Sequence, residues 1–218
     1  MFRAWAPALA EDIELVAVQL PGREGRLREP SFTSIEEIVG AALPLVSAAS
    51  DLPYSLFGHS MGALVAYELA AALERDGQRG PARLFVSARR PPDELDSAPP
   101  LHGLPHERFL TEIQERYGAI PEAVLREPEL LELLLPTLRA DIAAIERHPA
   151  SSNKLRCPVH VFGGARDQHP LPAQLEGWQR VAEQPVTVKV FDGDHFYLAA
   201  QRAALVAEIC ANWPRSTP

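Results

Sequence analysis

Cysteine is scarce in this chain. Only Cys157 and Cys210 occur among 218 residues, so no disulfide framework can stand in for a hydrophobic core, and a reducing, cytoplasmic home is expected. Long apolar runs are missing as well. The longest weakly polar stretch, Ile38 to Ser50, contains Pro44 and two serines and falls short of the roughly 18 apolar residues a membrane span needs. Met1 to Glu11 has one arginine, a proline at position 7 and no apolar h-region, so it does not read as a signal peptide. Nor is there an excess of base: 21 Lys and Arg against 29 Asp and Glu give a net charge of -8, which repels nucleic acid and anionic membranes alike. An acidic partner protein would have to dock on a local basic patch such as Arg89 and Arg90.

What is present suffices for one compact domain over residues 1–218. Hydrophobic residues make up 46% and charged residues 23%, so the chain should fold despite 21 prolines. Five short runs rich in β-branched or aromatic residues read as strands: Ile13 to Leu20, Tyr54 to Gly58, Arg83 to Ala88, Val159 to Gly164 and Val186 to Phe191. Between them, Ile35 to Ser50, Met61 to Gly77 and Leu198 to Trp213 read as helices. Mostly apolar strands alternating with helices predict an α/β domain with a mainly parallel sheet covered on both faces. Arg89 to Cys157 breaks the alternation, and the helical patterns at Phe109 to Tyr117 and Glu129 to His148 predict an inserted helical segment at about residues 102–150. Its leucine-dense run, Leu130 to Leu138, packs on the core or roofs an apolar cavity.

Gly58-His59-Ser60-Met61-Gly62 stands between a strand and a helix, the context a G-x-S-x-G nucleophile elbow requires. The two glycines remove Cβ atoms where strand and helix approach closely. Such an elbow lifts the Ser60 hydroxyl to the carboxyl ends of the strands, points a helix N-terminus at it and makes the Met61 N–H an oxyanion donor. A serine hydroxyl is a weak nucleophile and needs a base and an orienting acid. Asp167 follows the strand Val159 to Gly164, and His195 follows Val186 to Phe191, so consecutive strand ends supply both. His169, two residues beyond Asp167, is the near rival as base. Asp192 and Asp194 read as turn formers. His102 and His106 lack the H-E-x-x-H glutamate, and no metal or other cofactor is expected.

Pro53 to Ala63, Gln19 to Glu24, Leu135 to Asp141, Val161 to Gly164 and Gly193 to Phe196 together resemble the type II thioesterases of polyketide and nonribosomal peptide synthesis, in the right order over essentially the whole chain. The resemblance implies an α/β-hydrolase fold with a helical lid, nucleophile Ser60, acid Asp167 and base His195. It also implies a substrate, an acyl group on the phosphopantetheine arm of an acyl carrier or peptidyl carrier protein, removed to clear stalled or aberrant chains. Leu130, Leu133, Leu134 and Leu138 offer an acyl lining, with helix packing as the alternative; Arg139 and Asp141 are expected to pair within the lid. Arg89 and Arg90 meet the pantetheine phosphate or an acidic carrier, or else form a solvated basic turn.

Family members resemble one another in an earlier strand that ends in a P-x-A-G-G loop and donates a second oxyanion N–H, and Met1-Phe2-Arg3-Ala4-Trp5 corresponds to the segment just after that loop. Residues 1–218 alone are therefore expected to form a weakened or inactive and poorly stable thioesterase, since losing one such donor costs about 10² to 10³ in kcat. A carboxylesterase or lipase acting on free esters, a noncatalytic carrier-protein binder and a cyclising thioesterase domain are the alternatives.

Overall fold

The computed structural model describes residues 2–48, 51–118, 120 and 122–214. Four parallel strands pair in chain order: β1 (Ser55–His59), β2 (Arg83–Ser87), β3 (Val159–Gly164) and β4 (Thr187–Phe191). Each lies within about a residue of its predicted place. Helix α1 (Ile35–Ala48) precedes β1, and α2 (Met61–Arg75) joins β1 to β2. Between β2 and β3 come α3 (His106–Tyr117), α4 (Glu122–Leu125) and α5 (Pro128–Arg147); a 3-10 stretch, Pro172–Val181, precedes β4, and α6 (Arg202–Ala211) follows it. Residues 49 and 50 of the first predicted helix lie outside the described residues.

Side chains alternate across a strand, and in β2 and β3 both sets are buried. Leu84, Val86, Val159 and Val161 face Ala63, Tyr67, Leu175 and Trp178, while Phe85 and Phe162 face Phe191, Leu205, Val206 and Ile209. That two-sided burial is why these runs are nearly all apolar. The expectation of coverage on both faces fails for β4, whose first four residues are exposed at one edge of the sheet.

Three other predictions are corrected. Ile13 to Leu20 forms no strand: it has no ladder partner among the described residues, and Val16 and Val18 are 72% and 55% exposed. Its apolar character serves isolated contacts, Leu15 with the Phe57 cluster and Leu20 with the Ile35 cluster. The last helix begins at Arg202, because residues 198–201 turn around the fully buried Leu198. Arg139 does not pair with Asp141. Two residues apart on a helix point to different sides, so the Arg139 guanidinium lies 4.2 Å over the Phe109 ring and donates to the His102 and Leu104 carbonyls, while Asp141 takes Arg23.

The insertion has its own apolar centre, Leu101, Phe109, Ile113, Ile120 and Ile142, with Leu131, Leu135 and Leu138 packed against it. Ala144 ties α5 to Ile35, Ile38 and Leu64. At the end of α5, His148 Nε2 lies 3.1 Å from Glu68 and its Nδ1 3.3 Å from Glu36, which joins α5 to α1 and α2.

Replacing the buried Phe162 by alanine should lower the unfolding free energy by about 3–5 kcal/mol, whereas Val16→Ala should stay within about 0.5 kcal/mol; urea titrations of both variants check this. The bond to Glu68 raises the His148 pKa. A raised native pKa stabilises below the unfolded value of about 6.5, and the effect fades as pH climbs through the native value. His148→Gln should therefore cost more stability near pH 5.5 than near pH 8.5, read from urea midpoints at the two pH values.

Candidate active site

Ser60 sits between the end of β1 and the start of α2 with φ 54° and ψ -116°. A non-glycine residue there carries strain of about 1–3 kcal/mol that the surroundings must hold in place. The Ser60 N–H donates to the Ser87 carbonyl at 2.8 Å, and the Ser60 carbonyl accepts from Ala63 N–H at 3.0 Å. Gly58 is indispensable: a Cβ on it would lie 2.0 Å from the Gly62 carbonyl oxygen. Gly62 differs from expectation, since a Cβ there would meet nothing within 4 Å; it is the Gly62 backbone, not its missing side chain, that approaches Gly58.

The loops after β3 and β4 are fastened together, Ala165 N–H to Phe191 O and Arg166 N–H to Gly193 O, both at 2.8 Å. Gly164 permits the approach, because its Cβ would fall 2.2 Å from the Asp194 carbonyl. Across this junction His195 Nδ1 lies 2.9 Å from Asp167 Oδ2, and His195 Nε2 lies 3.1 Å from Ser60 Oγ. A carboxylate only accepts, so Nδ1 carries the proton and Nε2 is free to accept from the serine hydroxyl. Asp167 and His195 are 2% and 4% exposed, which shields the pair from water.

The rival His169 contributes its backbone N–H to Asp167 Oδ1 at 2.9 Å, and its ring lies beside Tyr117. Asp194 accepts from Phe196 N–H at 2.9 Å as a turn former, and Asp192 pairs with Arg166. His59 packs behind the triad, its ring 5.2 Å from that of His195. Its Nδ1 is 2.9 Å from Ser87 Oγ, which is 2.7 Å from the Tyr197 hydroxyl. Burial, then the neighbouring His195, pushes the His59 pKa down to about 3, so a neutral ring backs the site. Neither Ser87, Tyr197 nor Tyr117 carries a sequence signal; the fold alone brings them here.

A cleft of about 260 Å³ opens above Ser60, with Met61, Ile113, Tyr117, Leu138, Ile145 and Phe196 in its walls. Of the four leucines expected to line an acyl site, only Leu138 reaches this cleft. Leu134, one turn earlier on the same face, lines a neighbouring cavity of about 190 Å³ with Leu110, Ile120 and Leu131, and Leu130 and Leu133 are exposed. The solvated basic turn is also corrected. Arg90 is 9% exposed and pairs with Asp96 at 3.1 Å; Arg89 lines the cleft, and burial pushes its pKa down to about 10. Among the described residues, no three His, Cys, Asp or Glu side chains gather as a metal site would need. None of the described helices is long and apolar enough to cross a membrane.

The sequence matches the thioesterase domain family over residues 1–213. It is 32% identical to the gramicidin S biosynthesis protein GrsT of Aneurinibacillus migulanus over 96% of this chain and 82% of the relative. It is 37% identical to the thioesterase PikA5 of Streptomyces venezuelae over 92% of this chain and 71% of the relative. Among solved structures, the type II thioesterase BorB from the borrelidin biosynthetic cluster superposes with a TM-score of 0.85 at 34% identity, covering 96% of this chain and 85% of that one. The fold is accordingly that of the α/β-hydrolases.

Gly58→Ala and Gly62→Ala should part company. The first should cost about 1–3 kcal/mol or more from overpacking, while the second leaves stability nearly unchanged; thermal unfolding of the two purified variants measures the difference.

Proposed function

The chain belongs to the thioesterase family, and we propose that it hydrolyses acyl thioesters on the phosphopantetheine arm of carrier proteins, through a Ser60–His195–Asp167 relay, in the editing role of a type II thioesterase. The observation that carries the mechanism is the continuous hydrogen-bonded line from Asp167 through His195 to Ser60, with separations of 2.9 and 3.1 Å.

In this reading Asp167 holds the His195 tautomer and stabilises the imidazolium that forms during attack. His195 takes the Ser60 proton as Oγ attacks the thioester carbon. Negative charge gathers on the former carbonyl oxygen. The Met61 N–H, at the first position of α2, together with the positive end of that helix, stabilises this charge. The C–S bond breaks and the thiol leaves with a proton from His195. His195 then removes a proton from water as its oxygen attacks the acyl-serine carbon, and returns that proton to Ser60 Oγ as the ester C–O bond breaks and the carboxylic acid leaves. Overall, thioester and water become acid and thiol. The helices of the insertion act as the lid over this cleft, and Leu138 gives the acyl chain an apolar wall.

Ser60→Ala should remove at least about 10³-fold of acyl-carrier hydrolysis together with fluorophosphonate labelling, and Asp167→Asn should cost about 10⁴-fold in kcat with the fold intact. Steady-state release of thiol, with circular dichroism as the folding control, checks both. A clear preference for matched oxygen esters over thioesters would overturn the substrate assignment.

A further inference from the structure

Among the described residues, five side chains that carry formal charge at neutral pH line the cleft: Arg23, Arg89, Arg90, Asp96 and Asp141. Both carboxylates are already engaged. Asp141 holds Arg23 through two contacts of 2.7 and 3.0 Å, and Asp96 holds Arg90 at 3.1 Å. Arg89 has no carboxylate within ion-pair distance among the described residues, and its Nε is buried without a hydrogen-bond partner. The residue is nonetheless fixed, because its carbonyl accepts from Trp178 Nε1 at 2.8 Å and Trp178 is fully buried. Its guanidinium stays cationic at neutral pH even with its pKa pushed down by burial. A half-buried cation without a counter-charge is costly to keep, and a ligand carboxylate would offset part of that cost.

We propose that Arg89 is a carboxylate-reading subsite, so that the cleft selects short acyl thioesters whose acyl chain itself ends in a carboxylate, the half-thioesters of small dicarboxylic acids. The proposal rests on the hydrolytic reading of Ser60. A guanidinium binds a carboxylate through two parallel N–H donors, which fixes direction as well as charge. Position favours the acyl chain over the other anion such a substrate carries, the pantetheine phosphate. Ser60 N–H bonds to Ser87, and Arg89 is only two residues further along the same strand end. The phosphate lies the whole length of the pantetheine arm from the thioester carbon. A cleft of about 260 Å³ has room for an acyl group of a few carbons.

The test compares succinyl with butyryl thioesters, each on pantetheine and on phosphopantetheine, using the full chain. Succinyl should be preferred by about tenfold or more in kcat/KM on both carriers, as expected for a hydrogen-bonded charge pair. Arg89→Gln should collapse that ratio and Arg89→Lys should restore part of it. Binding of the corresponding non-hydrolysable succinyl and butyryl amides to the Ser60→Ala chain gives the same comparison without turnover. Equal handling of the two acyl groups by the native chain overturns the proposal, whether or not the Arg89 variants fold. Arg89→Gln weakening both phosphopantetheine substrates alike, and neither pantetheine one, assigns Arg89 to the phosphate and overturns it too. An Arg89-dependent preference in binding without hydrolysis of any thioester leaves the subsite standing and removes the hydrolytic reading.

Discussion

Everything at this site depends on how closely the backbone at Gly58 approaches the backbone at Gly62. That contact lets β1 turn into α2 within a single residue, and the residue at the turn is Ser60, in a conformation that side chains ordinarily avoid. The strain is stored locally and held in part by the bond from the Ser60 N–H to the Ser87 carbonyl, so the neighbouring strand helps to hold the turn. With the serine fixed, α2 begins at the very next residue, Met61.

The same economy of backbone governs the other half of the site. Gly164 lets the loop after β3 lie directly under the loop after β4, and two main-chain bonds lock them together. Asp167 and His195 are then buried facing each other, in surroundings where the aspartate has the imidazole and the His169 amide to satisfy it. Electrostatic interactions are strong in such a place, which makes each partnered charge effective and each unpartnered one conspicuous. In the cleft wall, among the described residues, Arg23 and Arg90 belong to the first kind and Arg89 to the second.

The helical insertion connects the cleft at Ser60 to the core. Its apolar centre is self-contained, yet Ala144 and His148 attach α5 to α1 and α2, and Arg23 on Asp141 fastens it to the segment before α1. The helix that contributes Leu138 to the cleft is thereby anchored at its far end, while its earlier turns, with Leu130 and Leu133, face solvent. Leucine spacing alone could not tell these ends apart, because every fourth residue shares a face but the neighbour of that face changes along the helix.

The alternation of strand and helix, the elbow around Ser60, and the places of Asp167 and His195 at successive strand ends are all legible in the amino-acid order, because apolar periodicity and glycine placement are local properties that the chain must satisfy wherever it folds. Ile13 to Leu20 has the composition of a strand without being one, since a strand exists only if another strand pairs with it. Arg139 and Asp141 part because two residues apart on a helix point to different sides, and each meets a partner distant in the chain. Folding alone settled that His59, Ser87 and Tyr197 stand in line behind the triad, that Leu138 reaches the cleft at Ser60 while Leu134 reaches only the neighbouring cavity, and that, among the described residues, two carboxylates serve three arginines in one wall. These are pairings between residues far apart in sequence, and no local pattern encodes which side chain is left without a partner once the chain has closed.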